Sequence, residues 1–190
     1  MNKTKAPKPE KIILGIDPGT RFMGWGLIKK NGKTITLIDM GVLKLNSISD
    51  PWQKLETIYN EITGILIKYT PDEMAVEGPF YGVDAQAMLK LGRAQGAAII
   101  AAIKRSVPVF EYQPLRIKQA VTGRGRSSKE QVAAMVMALL NMKDLPEKLD
   151  ITDALAVAVC HANQDNNQKK GTKKAGSWDQ FLKNNPNRVK

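Results

Sequence analysis

In Ile12-Ile13-Leu14-Gly15-Ile16-Asp17-Pro18-Gly19-Thr20 a short apolar run stops at an acid and a turn. An uninterrupted apolar run of this length reads as a strand buried on both faces, and Asp-Pro-Gly reads as the turn that ends it. Working outward, residues 23–30 and 33–45 form a hairpin around Asn31-Gly32, a dipeptide that accepts the positive backbone angles of a tight turn. The chain therefore opens with three antiparallel strands. Pro51 after Asp50 suits a helix start, and Trp52, Leu55, Ile58, Tyr59, Ile62, Ile65 and Leu66 recur at helical spacing to about Tyr69. Residues 73–77 predict a strand, 84–105 a long Ala-rich helix and 107–112 a fifth strand; helical patterns follow at 114–121, 128–141 and 151–163. This order predicts an α/β fold, a mixed five-stranded sheet with helices packed on its faces.

The 190 residues suffice for one domain with a proper core. Charges such as Lys68 and Lys104 interrupt every apolar run well short of the roughly 20 residues that cross a bilayer. The leader has no apolar core of signal-peptide type, because Asp17-Pro18-Gly19 cuts the first run short. The single Cys160 cannot form an internal disulfide, which fits a reducing compartment, and a cytoplasmic protein is expected. The net charge of +11 is unevenly spread. Residues 1–11 hold four lysines against Glu10, and residues 164–190 hold seven bases against Asp165 and Asp179. We expect a flexible basic leader at 1–11, a domain at 12–163 and a flexible basic tail at 164–190. Inside the domain, Arg116, Lys118, Arg124, Arg126 and Lys129 form a run without an intervening acid, better evidence for phosphate contacts than the global charge.

Four acids carry the functional signal: Asp17, Glu77 at the end of Met74-Ala75-Val76, and Asp150 and Asp153 ahead of Ala154-Leu155-Ala156-Val157. Each has an ordinary explanation. Asp17 opens a turn, Glu77 ends a strand, and Asp150 reads as the N-cap of a helix beginning near Ile151, with Asp153 at its capping-box position. Together they are a different matter. Acids at the ends of buried strands repel unless a cation lies between them, and an all-oxygen set suits magnesium or manganese. His161 is the only histidine, so a histidine metal cluster is impossible. Phe80 and Tyr81, between Gly78-Pro79 and Gly82, belong to a loop where base stacking competes with core packing.

Those residues also carry a resemblance. Ile13 to Thr20 followed by Gly24-Trp25-Gly26, Glu77-Gly78-Pro79-Phe80, Leu89-Lys90-Leu91-Gly92-Arg93-Ala94-Gln95-Gly96, Val109-Phe110-Glu111-Tyr112, Ile117-Lys118-Gln119-Ala120-Val121-Thr122-Gly123, Lys129-Glu130-Gln131-Val132 and Asp150-Ile151-Thr152-Asp153-Ala154-Leu155-Ala156 resemble, in order, the RuvC-type Holliday-junction resolvases. The resemblance implies an RNase H-like fold, a homodimer, and metal-dependent cleavage of two opposed strands at a four-way DNA junction during recombination and repair. It implies two Mg2+ per active site, replaceable by Mn2+, and a branch-migration motor complex as partner. By position, the family's catalytic acids fall on Asp17, Glu77, Asp150 and Asp153, which would be the metal ligands. Its important basic residues fall on Lys118 and Lys129, and its junction-centre aromatic on Phe80. With Tyr81, Arg116, Arg124 and Arg126, these make the expected DNA-binding set. For the dimer, the helix at 84–105 is the candidate surface, since Gly92, Gly96 and Ala85 share one of its faces, although that face could equally pack on the sheet. An actin-like ATPase shares an early Asp-Gly-Thr turn but needs two lobes, and a non-catalytic junction-binding protein would have no need of all four acids.

Overall fold

The computed structural model describes residues 10–78 and 84–167. Its first strand, β1 (Lys11–Asp17), pairs antiparallel with β2 (Phe22–Asn31), which pairs antiparallel with β3 (Thr34–Lys44). The β2–β3 turn places Gly32 at φ 61°, as the Asn-Gly signal predicts. On the other side of β1 lie β4 (Glu73–Glu77) and β5 (Val109–Tyr112), both parallel to it, so the order is β3-β2-β1-β4-β5. The strand expected from residue 107 begins two residues later. The Val107 N–H donates to the Ala102 carbonyl and closes the preceding helix instead of entering the sheet.

Alternation along β1 and β4 sorts two cores. Leu14, Ile16, Met74 and Val76 face a layer made by α1 (Pro51–Tyr69) and α2 (Ala85–Lys104). Ile13 and Ala75 face the opposite layer, made by α3 (Pro114–Thr122), α4 (Lys129–Leu140) and α5 (Leu149–Asn167). With period two, Asp17 lies on the face of Ile13, and Glu77 on the face of Ala75. The helix starts follow the sequence: Asp50 accepts from the Gln53 N–H, Asp84 from Gln86 and Ala87, and Ser128 forms a capping box with Gln131. One expected cap is corrected. The Lys148 carbonyl already accepts from the Ile151 N–H, so α5 begins at Leu149, and Asp150 sits inside the first turn. Asp150 is therefore not the N-cap, and Asp153 is not at a capping-box position. At its other end α5 continues to Asn167, beyond residue 163.

The helix α5 lies on β1 and β2 because the strands offer it no side chains at the crossing. A Cβ at Gly15 would overlap the Ala154 carbonyl and come within 2.8 Å of the Ala158 methyl; one at Gly24 would overlap the Asp150 carbonyl. Gly24 pairs with Asp17 across the sheet, so this approach brings the start of α5 beside the end of β1. At the far end of the crossing, the Glu73 carboxylate accepts from the Lys11 ammonium at 2.6 Å and is 2.8 Å from His161 Nε2, while the Tyr112 hydroxyl lies 2.6 Å from His161 Nδ1. Burial pushes the Glu73 pKa up, but Lys11 and His161 together outweigh it and hold the group below the usual carboxylate range.

Gly15→Ala is expected to destabilise the protein by about 1–3 kcal/mol through overpacking, a fall in melting midpoint of about 2–4 °C for each kcal/mol. Gly64, in α1 with open space around it, gives the opposite sign, because Gly64→Ala should add about 0.5–1 kcal/mol. Equal melting midpoints for the two variants would show that α5 does not depend on the bare strand surface.

Candidate active site

The parallel pairing of β1 with β4 runs to Ile16 beside Val76, so the next residues, Asp17 and Glu77, end neighbouring strands on the face covered by α5. Asp153 of α5 joins them in a small cleft of about 100 Å³, which Lys118 of α3 and Lys129 of α4 also line.

The electrostatics of this cleft follow from crowding like charges at a partly buried strand edge. Burial pushes the Asp17 pKa well above the usual carboxylate range, and repulsion from Glu77, Asp153 and Asp150 pushes it the same way against the opposing Lys129 charge. Burial, with Asp153 beside it, raises Glu77 to about 7, although Lys129 and Lys118 pull it down. The Lys129 ammonium donates to Asp153 Oδ2 at 2.8 Å, a bond that raises the lysine's own pKa. Asp150 acts on Asp17 through space but lines a neighbouring, more open cleft with Gly19, Thr20, Arg21, Phe22 and Asp84. The two acids of α5 thus flank Asp17 from different sides.

Among the described residues no three acids, histidines or cysteines are already gathered tightly enough to grip an ion. The donor set nevertheless fits a hard divalent cation chemically. It is made of carboxylate oxygens whose mutual repulsion a cation would relieve, and it excludes soft ligands, since Cys160 is buried elsewhere in the core.

The expected basic residues divide. Lys118 and Lys129 line the cleft with the acids. Arg124 and Arg126 are exposed on the connection between α3 and α4, which Thr122 and Ser127 brace by donating to the Arg124 carbonyl. Arg116 turns away from the acids and donates to Gln164 Oε1 at 2.5 Å. Phe80 and Tyr81 lie outside the described residues. One residue beside Glu77 was not among the expected site residues, although it lies in the Leu89–Gly96 stretch that carries the family resemblance. Buried Gln95 of α2 donates to the Glu77 carbonyl at 3.2 Å and to Glu111 Oε2 at 3.1 Å, tying α2 to the ends of β4 and β5. A further signal in the sequence is a polar side chain on a helix face otherwise made by Ala94, Ala98, Ala101 and Ala102.

Residues 13–161 match the family model described as crossover junction endodeoxyribonuclease RuvC. The protein of that name from Cytophaga hutchinsonii is 51% identical over 190 residues, covering 100% of this chain and 94% of the relative. The one from Porphyromonas gingivalis is 46% identical, covering 97% and 100%. Among solved structures, T. thermophilus RuvC in complex with a Holliday junction substrate superposes with a TM-score of 0.77 at 33% identity, covering 82% of this chain and 94% of that one. The yeast mitochondrial Holliday junction resolvase Ydc2, at 13% identity and a TM-score of 0.62, shares the fold; the match covers 83% of this chain and 81% of that one.

Because the Glu77 pKa is raised in the folded state, the native protein binds a proton more readily than the unfolded chain between its ordinary value of 4.5 and about 7. Stability without metal should therefore fall as pH rises through that window. Glu77→Gln is expected to stabilise the metal-free protein at pH 8 by on the order of 1–3 kcal/mol. Thermal melts at pH 8 and pH 5 check it, and a lower midpoint for the variant at pH 8 would contradict the repulsion described.

Proposed function

The chain belongs to the RuvC family of crossover junction endodeoxyribonucleases, and from that premise we propose that Asp17, Glu77, Asp150 and Asp153 carry its metal-dependent resolution of Holliday junctions. The observation that supports this most directly is the convergence of Asp17, Glu77 and Asp153 with Lys118 and Lys129 in one cleft. The fold is RNase H-like, and the activity is that of a structure-specific nuclease acting in DNA recombination and repair.

The four acids would hold Mg2+, two ions per site, with Mn2+ able to substitute. Bound there, such ions supply a water of lowered pKa for attack on phosphorus and charge compensation at the departing 3′ oxygen. The chain's own side chains position and polarise. Asp17 and Glu77 are fixed by the strands, and Asp153 and Asp150 by the first turns of α5. Lys129, bonded to Asp153, and Lys118 bring positive charge toward the scissile phosphate and favour the more highly charged transition state. Arg124, Arg126 and Arg116 contribute phosphate contacts further out, and Phe80 and Tyr81 meet unstacked bases. The products are a 5′ phosphate and a 3′ hydroxyl, ends that a ligase rejoins. A branch-migration motor complex supplies the junction, and the cytoplasm is the site of action.

Paired nicks in opposed strands call for two active sites at a fixed spacing, hence a symmetric homodimer. The helix α2 offers a surface for it. Leu89, Ile100 and Ile103 are 52%, 45% and 57% exposed, and with Gly96 they recur at spacings of one or two helical turns. A Cβ at Gly96 would meet nothing within 4 Å, so another helix could approach closely there. Gly92, one turn before Gly96, is half-buried.

Asp17→Asn and Asp153→Asn should abolish cleavage of a synthetic four-way junction while leaving gel-shift affinity largely intact, with or without magnesium. A variant that cuts at the wild-type rate would remove that acid from the active site. For the dimer, Ile100→Glu combined with Ile103→Glu should convert a dimer at micromolar concentration into a monomer by sedimentation and replace paired nicks with single ones. A variant that remains dimeric would place the interface elsewhere.

A further inference from the structure

The strand directions put the ends of β1 and β3 and the starts of β2, α1 and α2 at the sheet edge that carries Asp17 and Glu77. On the α1–α2 side of this edge a cleft of about 340 Å³ opens between Thr20-Arg21 and the N-terminal halves of the two helices. Among the described residues Arg21, Lys54, Lys90 and Arg93 line it, and no acid does. None of the four is ion-paired within the described part of the chain. Trp52 stands at the second position of α1 with 64% of its surface exposed, and the Arg93 guanidinium lies 5.6 Å from its ring centroid.

This cleft is joined to the edge that carries the acids. Lys54 donates to the Thr20 carbonyl at 3.3 Å, bracing the turn three residues beyond Asp17. Thr20 and Arg21 also line the open cleft that contains Asp150. Lys118 and Lys129 lie on the opposite layer, with α3 and α4. The acids are therefore flanked by basic surface on both layers of the fold.

We propose that the Arg21–Trp52–Arg93 cleft is a second DNA subsite, which holds the strand beyond the scissile phosphate, with phosphates on Arg21, Lys54 and Lys90 and a base stacked on Trp52. The subsite rests on the junction-resolving activity proposed above. Charge complementarity selects the occupant: cations without a local acid attract a polyanion, and an exposed indole supplies a face on which any base can stack. A second copy of this chain is assigned to the apolar α2 surface of Leu89, Gly96, Ile100 and Ile103, whereas this cleft presents, among the described residues, four cations and no acid.

The test compares wild-type protein with Trp52→Ala, Trp52→Phe, and the pair Arg21→Ala with Lys90→Ala, by gel shift on a synthetic junction in EDTA across a salt series. Trp52→Ala should weaken binding about fivefold to a hundredfold, and Trp52→Phe should recover most of it. The paired substitution should flatten the slope of log affinity against log salt by about 0.7–0.9 for each phosphate no longer neutralised, a change that a merely structural role would not produce. Should Trp52→Ala fail to fold, the exposed Arg21 and Lys90 decide through the slope. Unchanged affinity and slope in variants of a wild-type protein that binds and cuts junctions would overturn the subsite. Disappearance of a dimer by sedimentation with unchanged slope would overturn it too, by giving the cleft to the partner protomer. If the wild-type protein neither binds nor cuts junctions, it is the resolvase reading itself that fails.

Discussion

The contact on which the site depends is the close approach of α5 to β1 and β2. Helix and sheet usually stand apart by the thickness of their side chains, but at Gly15 and Gly24 there are none to separate them. The backbone of Asp150 can then rest against Gly24, which pairs with Asp17. Without that descent, Asp150 and Asp153 of α5 would stand away from Asp17 and Glu77 at the strand ends.

A second constraint comes from strand direction. Because β4 runs parallel to β1, both strands end at the same edge, and their alternation turns Asp17 and Glu77 toward the same helix layer. Grouping acids there is unfavourable, as the raised pKa values of Asp17 and Glu77 show. The fold tolerates the repulsion because hydrophobic packing of both layers holds the strands and α5 in place. Lys129 relieves part of it through Asp153, and a divalent cation would relieve more. Repulsion that a cation removes on binding adds to the affinity for that cation.

Sequence patterns are legible wherever a local rule governs the outcome. The hairpin at Asn31-Gly32, the helix starts at Asp50 and Ser128, and the strand-end positions of Asp17 and Glu77 each follow from residue type and period. The rule fails at Asp150, a good capping residue in a place where the backbone has already begun its helix with the Lys148 carbonyl. It also gives no bonding partner for Gln95, whose hydrogen bonds to Glu77 and Glu111 tie α2 to the strands before and after it.

By itself the sequence determined the element order and the placing of Asp17 and Glu77 at strand ends, because these depend on short-range periodicity and side-chain chemistry. Only the tertiary structure decided that Asp153 shares a cleft with Lys118 and Lys129 while Asp150 looks toward Arg21, and that Arg116 turns to Gln164. Residues three apart on a helix point in directions that differ by about 60°. Which neighbour each one meets depends on how that helix is rotated against its sheet, and packing between distant parts of the chain sets that rotation.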